Sequence, residues 1–167
     1  MKSIKFLVAA LVVLTAVPMF AQTAVDDLDV TANVDAVCTI VANAVAFGAY
    51  DPLGGDVDAA GSVDVTCTKG STGLRIDLAA GNNFGSGPSG ATYRAMQHTV
   101  TATEFLSYQL FTDAARTDVW GEDAAGLSIA DAPSSAVRNF PVYGRIPGTQ
   151  DVAVGSYADV VVAEINY

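Results

Sequence analysis

Two runs at opposite ends of the chain constrain the fold most. Leu28-Asp29-Val30-Thr31-Ala32-Asn33-Val34 alternates apolar and polar residues with a period of two. That period places one apolar face and one polar face on an extended strand. The second run, Tyr157-Ala158-Asp159-Val160-Val161-Val162-Ala163-Glu164-Ile165-Asn166-Tyr167, is apolar on both faces at its start and amphipathic at its end. No residue of the sequence follows Tyr167, so no later strand of this chain is expected to pair beyond it. A β-like segment at one end and an open sheet edge at the other suggest a protein completed by a neighbour.

The first 21 residues read as an export signal. Lys2 and Lys5 form a basic start, and Phe6 to Val17 forms an apolar stretch too short to span a bilayer comfortably. Pro18 breaks this stretch, and Ala21 offers a small residue for cleavage, with Ala24 as the alternative. No later stretch reads as a membrane helix. Removal of residues 1–21 leaves about 146 residues, enough for one domain with its own core. Eighteen acidic residues then stand against six basic ones, a net charge near −12. Such a charge disfavours nucleic acid and anionic membrane surfaces as partners.

The two cysteines, Cys38 and Cys67, both lie in the exported part. In an oxidising compartment a lone pair most simply forms one disulfide. Valine, threonine, alanine and glycine dominate the rest, in short β-like runs between turn signals. That pattern reads as an antiparallel sandwich. The expected strands are Asp27–Val34, Ala36–Ala42, Gly61–Cys67, Leu74–Leu78, Leu106–Thr112, Ala136–Ile146 and Ser156–Tyr167, with a weaker one within Tyr93–Val100. Gly81–Gly90 is too glycine-rich for a regular element and reads as an exposed loop.

Residues for catalysis are sparse. His98 is the one imidazole and has no triad-like context, so it reads as a surface or edge residue. Pro133-Ser134-Ser135 lacks a nucleophile-elbow pattern. Asp51, Asp56 and Asp58 read as solvated carboxylates of one loop, as do Glu122 and Asp123; no EF-hand spacing selects them for calcium. Trp120 reads as a core residue rather than a sugar platform. No enzyme activity, cofactor or metal is expected.

Several pieces together resemble the spore coat protein U domain, the fold of pilin subunits in archaic chaperone–usher pili. They are Val37-Cys38-Thr39-Ile40, Phe47-Gly48-Ala49-Tyr50-Asp51-Pro52 and Val63-Asp64-Val65-Thr66-Cys67-Thr68-Lys69-Gly70. Tyr93-Arg94-Ala95-Met96, Leu106-Ser107-Tyr108-Gln109-Leu110-Phe111-Thr112-Asp113 and Val119-Trp120-Gly121 follow. Val142-Tyr143-Gly144-Arg145-Ile146-Pro147-Gly148, Gly155-Ser156-Tyr157-Ala158-Asp159 and Asn166-Tyr167 close the set. The ordered set covers nearly the whole exported chain, while Ala124–Arg138 matches only loosely.

The resemblance implies an all-β, incomplete immunoglobulin-like sandwich, completed by a donor strand from a neighbouring subunit. Residues 22–35 would be the donor segment and 36–167 the pilin domain. A periplasmic chaperone would fill the groove first, and an outer-membrane usher would exchange it for the next subunit's N-terminal segment. Identical or related subunits would then form a head-to-tail extracellular pilus for adhesion and biofilm formation. By parity, Leu28, Val30, Ala32 and Val34 are the expected donor side chains, and Asp29, Thr31 and Asn33 face out. Val161, Ala163, Ile165 and Tyr167 of the last strand are expected to line the core or groove. The alternatives are a self-complemented secreted coat or matrix protein and a carbohydrate-binding sandwich.

Overall fold

The computed structural model describes residues 22–167, so the expected export signal lies outside the described residues. The chain divides into two units, one ending at Asn33 and one spanning Val34–Tyr167. In the first unit, residues 22–33 carry no secondary structure and are exposed. The expected strand Asp27–Val34 is therefore not formed here. An alternating segment becomes a strand only where a ladder satisfies its backbone and one face is buried.

The second unit is antiparallel β throughout. Its strands are β1 (Cys38–Asn43), β2 (Val57–Cys67), β3 (Arg75–Leu78), β4 (Arg94–His98), β5 (Phe105–Phe111), β6 (Leu127–Ser128), β7 (Arg138–Ile146), β8 (Tyr157–Ala158) and β9 (Ala163–Asn166). One sheet has the order β1-β2-β7-β5-β4-β8 and the other β6-β3-β9. A short 3₁₀ turn covers Asp123–Ala125.

Alternation in the sequence decides which side chains enter the core. On β2, Val63, Val65 and Cys67 are buried while Ser62, Asp64 and Thr66 are less so. Leu74, Ile76, Leu78, Leu106, Tyr108, Leu110, Val142 and Ile146 complete the core around Trp120. Trp120 is 0% exposed and its Nε1–H donates to the Ile76 carbonyl at 2.9 Å. This bears out the core reading and leaves no indole face for a sugar.

Cys38 and Cys67 are register partners on β1 and β2, and they form the expected disulfide. Closing a loop with a separation of 29 residues stabilises by roughly 3–4 kcal/mol on the chain-entropy account. The bond fastens an edge strand that has one ladder neighbour, β2.

Three expectations change, and one gains detail. The run Ser156–Tyr167, read as one strand, is two pieces: β8 pairs with β4, and β9 pairs with β3. One extended stretch thus serves both sheets. Gly81–Gly90 is the expected loop, exposed or half-buried along its length, and it is tethered, because the Ser89 N–H donates to Ser107 Oγ at 2.9 Å. A Cβ on Gly87 would sit 2.2 Å from that same hydroxyl, so glycine permits the close approach. Asp58 belongs to β2 rather than a loop, opposite Arg145 on β7, and the two form a bidentate pair at 2.7 and 2.9 Å. His98 is buried rather than on the surface: its ring meets Tyr157 edge-on at 5.0 Å, and Nδ1 accepts the N–H groups of Val100 and Thr101.

Two buried polar side chains satisfy main-chain groups that the ladders leave open. Ser107 is beyond the β5–β7 ladder, so its backbone groups need another partner. The Gln150 side chain supplies one: Oε1 accepts the Ser107 N–H at 2.8 Å and Nε2 donates to its carbonyl at 3.0 Å. Buried Arg94 donates to the carbonyls of Leu78, Ala79 and Trp120 and to Gln109 Oε1. Burial pulls its pKa below the usual arginine value.

Candidate functional site: an open groove

The ladder between β1 and β2 runs from Cys38↔Cys67 to Asn43↔Ser62 and then stops. The next residue of β2 is Gly61. A Cβ there would lie 2.7 Å from the carbonyl oxygens of Asn43 and Ala44 and 2.8 Å from Val45 Cγ2. Gly144 on β7 is the second opening, where a Cβ would lie 2.7 Å from Phe47 Cζ and 2.8 Å from Val45 Cγ1. The chain therefore leaves the sheet at Gly61 and drops Val45 and Phe47 over Gly144. Across residues 44–47 the side chains alternate, with Ala44 and Ala46 exposed and Val45 and Phe47 half-buried. No backbone hydrogen bond joins residues 44–49 to another segment among the described residues.

Beneath this edge the core is open. A cavity of about 320 Å³ is walled by Ala42, Val45, Phe47, Tyr108, Val161 and Ala163, among others. A second, of about 600 Å³, continues past Phe47 and Met96 to Tyr50, Leu106, Ile146 and Val152. Val45, Phe47 and Met96 belong to both, so the two form one trough. The first cavity has walls from β1 and β9, which are edge strands of different sheets. An extended apolar trough between two sheet edges has the shape and chemistry to accept one more strand.

One carboxylate sits in the wall. Asp159 Oδ2 accepts the Tyr108 hydroxyl at 2.8 Å, and Oδ1 accepts the N–H groups of Asn82 and Val160. Burial, and then this bond, push the Tyr108 hydroxyl well above the ordinary tyrosine range. These bonds anchor the connection between β8 and β9 to the core. Among the described residues, no group of three or more His, Cys, Asp or Glu is placed to hold a metal.

The structure treats the sequence-derived residues unequally. Val161 and Ala163 line the trough. Ile165 packs against the core cluster, and Tyr167 is 57% exposed. Leu28, Val30 and Val34 are 88%, 86% and 80% exposed, and Ala32 is exposed too. Sequence reasoning did not assign Val45, Phe47, Met96, Leu106 or Tyr108 to the groove. A signal existed for two of them: Val45 and Phe47 stand two apart, with alanine between them.

The Spore Coat Protein U domain matches residues 24–164. Protein U of Myxococcus xanthus is 34% identical over 181 aligned residues, with the whole of both chains covered. A chain in the crystal structure of the CsuC–CsuE chaperone–tip adhesion subunit pre-assembly complex, from archaic chaperone–usher Csu pili of Acinetobacter baumannii, superposes with a TM-score of 0.56. It is 22% identical to this chain, and the match covers 79% of this chain and 40% of the other. The likeness is one of fold, and the fold is the all-β sandwich of a pilus subunit. From its match over residues 24–164 and its full-length likeness to Protein U, this chain belongs to the Spore Coat Protein U domain family.

Proposed function

We propose that this chain is a structural subunit of an extracellular fibre, polymerised by strand donation between copies. The observation that carries the reading is a complementarity within one chain. An apolar trough lies open beneath an unpaired edge, and residues 28–34 alternate apolar and polar without forming a strand of their own. In this reading residues 22–35 are the donor and 36–167 the receiving domain. Leu28, Val30, Ala32 and Val34 of one copy enter the trough of the next, and Asp29, Thr31 and Asn33 face solvent. Val161, Ala163, Ile165 and Tyr167 belong to the receiving strand. Each larger donor side chain contributes about 1–3 kcal/mol when fully buried. A donor segment of one copy that fills the trough of the next gives a head-to-tail contact, which propagates.

The family and the pilus-subunit fold support a structural role rather than a catalytic one. The matched fold comes from a chaperone–subunit complex, which supports a chaperone as the trough's first occupant. An outer-membrane usher, transit through the periplasm, and surface adhesion with biofilm formation complete the proposal. The test is detergent electrophoresis of exported protein, unboiled and boiled, with and without residues 22–34. A ladder that collapses on boiling and is absent from the deletion supports strand exchange.

The family's description as a spore coat protein domain gives a second reading, a self-contained coat protein whose own segment fills its trough. That reading predicts a single monomer band from the folded, exported full-length chain.

A further inference from the structure

Met96 occupies a singular position. It is the one methionine in residues 22–167, since the other two are Met1 and Met19. It sits on β4 opposite Leu106, is half-buried, and lines both cavities. Met96 therefore belongs to the wall that the two halves of the trough share. Both cysteines of the chain are already joined in the disulfide. Trp120, the one tryptophan, is 0% exposed. Met96 is thus the one readily oxidisable sulfur left in the exported chain, and its half-buried side chain lines the open trough.

We propose that Met96 is an oxidation-sensitive gate on the trough, open to peroxide while the trough is empty and shielded once a strand fills it. This inference rests on strand donation as the use of the trough. The reaction transfers one oxygen from hydrogen peroxide to the thioether sulfur. The O–O bond breaks, an S–O bond forms, the sulfur is oxidised by two electrons and the peroxide leaves as water. The product is a polar sulfoxide in place of a flexible apolar group. Its oxygen would face Val45, Phe47 and Leu106, and an inserted apolar strand would bury it without a partner. The unassembled subunit is therefore the vulnerable form, and the assembled fibre the protected one.

The test uses the exported chain, residues 22–167, and a synthetic peptide of residues 22–35. The chain, alone and with the peptide bound, is exposed to hydrogen peroxide at neutral pH, and gain of one oxygen at Met96 is followed by peptide mass analysis. The expected result is rapid oxidation of the free subunit and slowing by roughly tenfold or more with the peptide bound. The oxidised subunit should then bind the peptide, and polymerise, at least about tenfold less well, the loss expected from burying one unpaired polar group. Met96→Leu, compared with itself before and after peroxide, should show no change in binding or polymerisation. Equal oxidation with and without bound peptide, or normal binding by the oxidised subunit, would overturn the proposal. If the peptide fails to bind the untreated chain, strand donation itself is wrong, and the gate falls with it. If the peptide binds and Met96 proves inert, only the gate is wrong.

Discussion

Gly144 lies against Phe47 so closely that a Cβ on the glycine would stand 2.7 Å from the phenylalanine Cζ. That contact sets the floor of the trough, because Phe47 lines both of its cavities. Gly144→Val should lift Phe47 from its seat and cost about 1–3 kcal/mol. Urea unfolding checks the stability, and capture of a peptide of residues 22–35 checks the trough. A variant as stable as the parent, with unchanged capture, would show that Phe47 has room elsewhere.

Val30 is 86% exposed in the single chain. If it enters a neighbour's trough, Val30→Asp must carry a charge into an apolar site and should abolish the boiling-sensitive ladder. The receiving domain of the variant should stay folded and still accept donors from unaltered subunits. Asp29→Ala, on the opposite face, should polymerise nearly as well as the parent. Normal fibres from Val30→Asp would remove residue 30 from the donor face.

Arg94 holds three carbonyls and a glutamine oxygen at the junction of the two sheets. Arg94→Ala would leave these acceptors buried and unpaired and should cost about 3 kcal/mol or more. The loss should appear as a lower urea midpoint with little change in slope. A change within about half a kcal/mol would mean that water reaches the vacated site.

Asp58 gives a pH signature. Its hydrogen bond to Arg145 holds its carboxyl below the ordinary value of 3.8, with further help from Arg116. A depressed folded value means stability that is present above 3.8 and lost as pH falls through the folded value. The side chain is 38% exposed, so solvent screening keeps the effect small. Asp58→Asn should be slightly less stable than the parent at neutral pH, with the gap closing below pH 3.8. Thermal unfolding from pH 7 to pH 2.5 would show this convergence; a constant gap would point to lost packing instead.

Alternation alone made much of the sandwich legible. Val63, Val65 and Cys67 on one face of β2, with Ser62, Asp64 and Thr66 on the other, need no tertiary information to be read. The cysteine count likewise sufficed for Cys38–Cys67. Trp120 was legible as core from its type and setting. These are local or compositional signals, and burial of one face rewards them directly.

The trough itself was decided in three dimensions. Nothing local in Gly61 or Gly144 marks them as openings; that role exists because Val45 and Phe47 cross over them. Met96, Leu106 and Tyr108 alternate like any other strand residues, and only the absence of a covering strand turns part of their surroundings into a cavity. The last run reads as one strand, yet it divides between two sheets because its halves find partners in β4 and β3. The sequence by itself determined most of the sandwich strands, the disulfide and the apolar alternation of residues 28–34. Only the tertiary structure decided which edges stay unpaired, because an unpaired edge depends on every other strand's choice of neighbour.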